Sequence, residues 1–171
     1  MRRTIRYWDS ATFLAWLLPE PAREADCRAV VRAAERGEAL LVTSALTLTE
    51  VIHLKDRPPI GPAQEAKIAK FFAHSWISVR NVDRFVGEMA RQLIWRHGVK
   101  PKDSIHLATA IRWNIPLLET FDEGLWALSG KLGKPAVRIS APHEVEILEL
   151  PGVLRPIKGE PKKKRGEGGE S

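Results

Sequence analysis

A chain of 171 residues, 44% hydrophobic and 28% charged, has the size and composition of one soluble globular domain, which excludes a fibrous or wholly disordered protein. Its net charge of +6 suits a polyanionic partner without requiring one, because residues 158–171 hold five bases and three acids and leave 22 bases against 18 acids elsewhere. The single cysteine, Cys27, excludes an internal disulfide and a thiolate cluster for a structural metal, and fits a reducing cytoplasm.

Thr4-Ile5-Arg6-Tyr7-Trp8 has the β-branched and aromatic content of a strand, with Asp9 and Ser10 at its end. Residues 11–18 predict a short helix stopped by Pro19 and Pro21, well below the ~20 apolar residues of a membrane span. Arg2, Arg3 and Arg6 precede this run as in a secretion signal, but Asp9 interrupts it and no small-x-small cleavage site follows. Residues 22–36 read as a second helix closed by Gly37. Residues 39–43 are apolar without alternation, the pattern of a strand covered on both faces. Ser44 is placed to cap a helix running to about Lys55, ahead of a loop rich in proline at residues 57–62.

A helix is expected over residues 63–74 and a strand over residues 76–79. Asp83 can cap the next helix, in which Phe85, Val86, Met89, Ala90, Leu93, Ile94 and His97 recur at spacings of three and four, and Gly98 ends it. Pro101 to Asp103 open another helix, with Ile105, Leu107, Ala108 and Ile111 on its buried face. Residues 116–120 and 136–140 supply the last strands. Alternating strands and helices predict an α/β fold, a three-layer sandwich around a mostly parallel sheet. Residues 1–150 form that domain; residues 151–171 form a C-terminal extension with a basic tail too poor in apolar groups to fold.

Ligands of open parallel sheets bind beyond the carboxyl ends of the strands, so acids at those ends are the first candidates for a site. Asp9 follows the first strand, Asp122 follows the strand at residues 116–120, Asp103 stands at a helix start, and Glu50 lies in the helix after the second strand. Four converging carboxylates repel one another unless a cation sits among them. Hard oxygen donors without a matching Cys/His set point to Mg²⁺ or Mn²⁺, and such ions imply metal-dependent phosphodiester hydrolysis. Taken singly, each acid has a plainer role: Asp103 as a helix N-cap, Asp122 as an Asx-turn residue, Glu50 as a solvated helix charge, Asp9 as a loop or cap residue.

The order of these residues resembles the PIN-domain ribonucleases, most closely the VapC-like toxins of toxin-antitoxin pairs. The resemblance rests on Trp8-Asp9-Ser10-Ala11, on Thr43-Ser44 with Leu48-Thr49-Glu50-Val51, on Lys102-Asp103-Ser104-Ile105-His106-Leu107-Ala108-Thr109-Ala110, and on Leu118-Glu119-Thr120-Phe121-Asp122. It implies a PIN-like fold and an endoribonuclease in which Asp9, Glu50, Asp103 and Asp122 are the catalytic acids and metal ligands, with Ser10 and Thr120 as auxiliary hydroxyls that orient them. Glu123 stands beside Asp122 as the other candidate for the fourth acid. The implied partners are an RNA substrate and a cognate antitoxin protein, with room for a homodimer and no membrane. The competing possibility is a catalytically silent PIN-like module that binds RNA or protein.

Lys100, Lys102 and Arg112 flank Asp103 and are candidates for RNA phosphate contacts, against the plainer reading of a solvated basic face. Trp8 and Trp126 fall near the expected rim, where bases could stack, although burial in the core is the commoner fate of a tryptophan. The five histidines show no metal spacing, and His106 is expected to be packed or structural. Gly124 and Gly130-Lys131 do not form a phosphate-binding loop, since five residues intervene and Leu132 replaces Ser/Thr. Lys162-Lys163-Lys164-Arg165 reads best as part of a solubilising tail.

Overall fold

Five short strands, β1 (Thr4–Trp8), β2 (Ala39–Ser44), β3 (Ile77–Arg80), β4 (Leu117–Glu119) and β5 (Arg138–Ser140), pair only in parallel, in the order β3-β2-β1-β4-β5. The computed structural model describes residues 3–18, 21–53 and 58–143, so the C-terminal extension lies outside the described residues. The chain winds outward from β1 through β2 to β3, then returns to the other side of β1 for β4 and β5. The winding therefore reverses between β1 and β4, the position at which an open parallel sheet forms a crevice beyond its carboxyl ends.

Side chains alternate across each strand and so feed two cores. Tyr7, Val42, Leu118 and Ile139 face one core, shared with Val86, Ala90 and Leu93 of α5 (Arg84–His97) and Leu107, Ala108 and Ala110 of α6 (Pro101–Arg112). Trp8, Leu41 and Ile77 face the other, shared with Phe13 of α1 (Ser10–Leu17), Val30 and Val31 of α2 (Pro21–Glu35) and Ile68 of α4 (Pro62–Phe72). This is the three-layer α/β sandwich with a parallel sheet that the alternation of elements predicts. Asp83 caps α5 as expected, accepting from the Val86 amide at 2.9 Å, and Gly98 ends it with φ +65°.

Several local expectations change. The helix after β2, α3 (Ala45–Glu50), stops near Val51 and not at Lys55; residues 54–57 lie outside the described residues. The β-branched Thr47, Thr49, Val51 and Ile52 give it little helix propensity to continue. Ser44 holds the N-cap position of α3 without making a capping hydrogen bond. Asp103 is not a cap, since Lys100 occupies the N-cap of α6 and places Asp103 in the first turn. A short helix, α7 (Glu123–Trp126), follows Asp122 where the sequence signalled none. Among the described residues, no helix is long and apolar enough to cross a membrane.

Candidate active site

Asp9 leaves β1 directly and caps α1, its Oδ1 accepting from the Thr12 amide at 2.8 Å. The Thr12 hydroxyl lies 2.8 Å from the same oxygen and 3.0 Å from the Glu119 carbonyl, so its single proton serves one of the two at a time. Asp9 is thereby tied to the ends of both strands that flank the switch point. Thr43 donates to the Trp8 carbonyl at 2.8 Å and meets Thr47 at 2.6 Å, and Ser10 reaches Thr47 at 3.3 Å, which closes a buried hydroxyl cluster behind the acids. The cap uses Oδ1 alone.

Glu50, the last residue of α3, accepts from Ser10 in a short hydrogen bond, from His106 Nε2 at 3.0 Å and from Lys102 Nζ at 2.9 Å. Burial alone would raise its carboxyl, but the donors of His106, Ser10 and Lys102 outweigh burial and hold it at about 2. Glu50 is thus no solvated helix charge. His106 is packed, as expected, but it also has a role that sequence reasoning did not assign. Its Nδ1 meets the buried Tyr7 hydroxyl at 2.9 Å, while Nε2 faces the ionised Glu50 carboxylate and must carry the proton there. In the neutral imidazole Tyr7 donates to Nδ1, which selects the tautomer with its Nε2 proton aimed at Glu50. The helical spacing of Asp103 and His106 was the available signal, since residues three apart share a face.

Asp103 projects from the first turn of α6 and has no ion-pair partner among the described residues. Its carboxyl is pushed above the ordinary range by burial, next by the Asp122 charge and, more weakly, by Asp9, with Lys100 opposing. Asp122 caps α7, accepts from the Gly124 amide at 2.8 Å in the Asx-turn geometry, and has its other oxygen 3.2 Å from Lys100 Nζ. The Lys100 hydrogen bond lowers the Asp122 carboxyl. Thr120 fixes this turn, its hydroxyl accepting from the Asp122 amide at 3.0 Å. Exposed Glu123 lies in the first turn of α7, and it is Asp122 whose charge reaches Asp103.

The predicted basic contacts separate. Lys100 and Lys102 lie among the acids, whereas Arg112 ends α6 nine residues beyond Asp103, roughly 14 Å along the helix axis. Trp8 is core and donates to Glu119 at 2.7 Å; Trp126 is partly exposed and donates to the Thr120 carbonyl at 3.0 Å.

Among the described residues, no three Asp, Glu, His or Cys side chains stand close enough to ligate one ion directly. Glu50 is drawn to Lys102 and His106, and Asp122 to Lys100. The donor set still fits Mg²⁺ or Mn²⁺: it is all hard oxygen, and these ions bind through one or two carboxylates while keeping several waters. The like charges crowding Asp103 are the feature a cation would relieve.

A family model described as the PIN domain matches residues 7–131. No curated protein matches the chain. Among solved structures, the sarcin-ricin-loop-cleaving toxin VapC20 of Mycobacterium tuberculosis superposes with a TM-score of 0.57 at 20% identity, over 69% of this chain and 90% of that one. A toxin-antitoxin complex from Klebsiella pneumoniae gives 0.55 at 19% identity, over 82% of this chain and 99% of that one. These two likenesses are of fold, whereas the family match spans the four segments that carry Asp9, Glu50, Asp103 and Asp122, and it establishes that the chain belongs to the PIN domain family.

Proposed function

We propose that this protein is a cytoplasmic Mg²⁺- or Mn²⁺-dependent endoribonuclease and the toxin of a toxin-antitoxin pair. The observation that carries the proposal is the placement of Asp9 and Asp122 just past the carboxyl ends of β1 and β4, the strands that flank the switch point, with the Asp103 carboxyl pushed up by burial and by both charges. An acid cluster there stores repulsion that folding alone does not require, and a divalent cation beside a phosphodiester resolves it. The toxin reading draws on the folds shared with VapC20 and with the Klebsiella complex, and the latter also motivates an antitoxin partner.

Asp9, Glu50, Asp103 and Asp122 would hold the metal. When bound, Mg²⁺ or Mn²⁺ supplies a water of lowered pKa and polarises the phosphodiester. Ser10 and His106 keep Oε2 of Glu50 fixed, and Thr120 fixes the turn that presents Asp122. Lys100 and Lys102, largely exposed beside the acids, would meet the RNA phosphates that enter the crevice. Calorimetric titration of Mn²⁺ into the wild type and into Asp103→Asn tests the metal assignment: binding lost in the variant supports it, and equal binding removes it.

A further inference from the structure

The far end of the α5/α6 hairpin carries a row of cations and rings that the site above does not use. The Arg80 guanidinium lies 4.4 Å from the Trp113 ring centroid, and the Arg112 guanidinium lies 5.7 Å from Trp113 and 5.7 Å from Phe85. Phe85 is 65% exposed and Trp113 is 41% exposed, so both rings are open to solvent. Neither Arg80 nor Arg112 forms an ion pair among the described residues, although Arg84 beside them is paired with Glu88. Neither ring belongs to the two cores, and both keep a large open face beside a guanidinium group without an ion pair among the described residues.

The register places this row relative to the acids. Tyr7 pairs with Val42 and Val42 with Ser78, so two residues further along Asp9, Ser44 and Arg80 are level across the sheet. Arg80 therefore stands on the same carboxyl rim as Asp9, two strands away, at roughly 10 Å for the usual strand spacing. A strand of nucleic acid held in the crevice would reach that row within a few nucleotides.

We infer that Arg80, Phe85, Arg112 and Trp113 form a stacking platform for single-stranded RNA flanking the crevice, an inference that rests on the ribonuclease reading and extends it. Aromatic faces accept any base, and arginine both pairs with phosphate and stacks on rings. The alternative occupant is a protein surface, a second copy included. The two guanidinium groups without an ion pair among the described residues favour a polyanion.

The test is binding of a fluorescein-labelled, mixed-sequence single-stranded RNA of about 12 nucleotides, within the site sizes of such platforms, followed by anisotropy in EDTA. Phe85→Ala and Trp113→Ala should each weaken binding roughly 5- to 150-fold, the range for loss of one base-ring stack. Arg112→Gln should reduce the slope of log K against log salt by about 0.7, the value of one single-strand phosphate contact. Both rings are exposed, and melting curves matching the wild type confirm that the variants fold. Wild-type affinity in both ring variants overturns the platform, as does a wild type that binds no RNA. A changed sedimentation coefficient with unchanged RNA affinity also overturns it and makes the face a contact between copies. The underlying ribonuclease reading fails separately, if the folded wild type leaves the bound RNA uncleaved with Mn²⁺ present.

Discussion

Breaking the ion pair between Arg6 and Glu119 should be among the most damaging single changes to this fold. Both side chains are almost completely buried, with Arg6 Nη1 2.7 Å from Glu119 Oε1. The second Glu119 oxygen accepts from Trp8 Nε1 at 2.7 Å, and Arg6 also donates to the His143 carbonyl at 2.8 Å. Burial pushes the Glu119 carboxyl up, and Arg6 with Trp8 oppose that push. The pair joins β1 to β4, Arg6 three residues before Asp9 and Glu119 one residue before Thr120, so it ties together the two strand ends that present the acids. Arg6→Met leaves Glu119 without its cation in the interior, a change that costs about 3–5 kcal/mol. At 2–4 °C per kcal/mol for a chain of this length, the melting temperature should fall by roughly 6–20 °C. Adding Glu119→Leu removes the stranded charge and should recover part of that loss. Urea unfolding of wild type, both single variants and the double variant measures all four corners of the cycle. A single variant costing under about 1 kcal/mol, or a double variant whose cost equals the sum of the singles, would refute this account of the pair.

Glu50, held at about 2, contributes stability that is fully present above its ordinary 4.5 and is lost as pH falls toward 2. In His106→Ala, carboxyl NMR titration of metal-free protein should find Glu50 moved up toward 4.5; an unmoved value would mean that the imidazole does not hold it. Asp122→Asn removes the like charge beside Asp103, and the same titration should show the Asp103 carboxyl moved down toward 3.8, with no movement counting against the convergence of the acids. Gly98→Ala places a side chain at φ +65° with no atom within 4 Å of the new Cβ, so backbone strain alone should cost about 1 kcal/mol in urea unfolding.

The alternation of elements was legible because β2 is a continuous apolar run, β1 is rich in β-branched and aromatic residues, and residues 84–97 repeat at helical spacing. The four acids were legible as positions at element ends. Their partners were not. Lys102 on Glu50, Lys100 on Asp122 and Tyr7 on His106 join residues that only the folded topology brings together. The residues 101–112 read as a helix with one buried face, yet residues 106–110 are all buried. The burial of His106 was legible but its bond to Glu50 was not, because α6 packs between the sheet and α5 and buries most of its circumference. The end of α3 and the presence of α7 turn on a few tenths of a kcal/mol of local propensity, which tertiary contacts override.

Cleavage of a mixed single-stranded and structured RNA pool by purified protein, with Mn²⁺ or with EDTA, alongside Asp103→Asn, tests the central claim most directly. The account predicts cleavage only when the metal and the Asp103 carboxylate are both present. Cleavage that survives EDTA or Asp103→Asn would contradict it, and so would a folded, antitoxin-free protein that binds the RNA but leaves it intact.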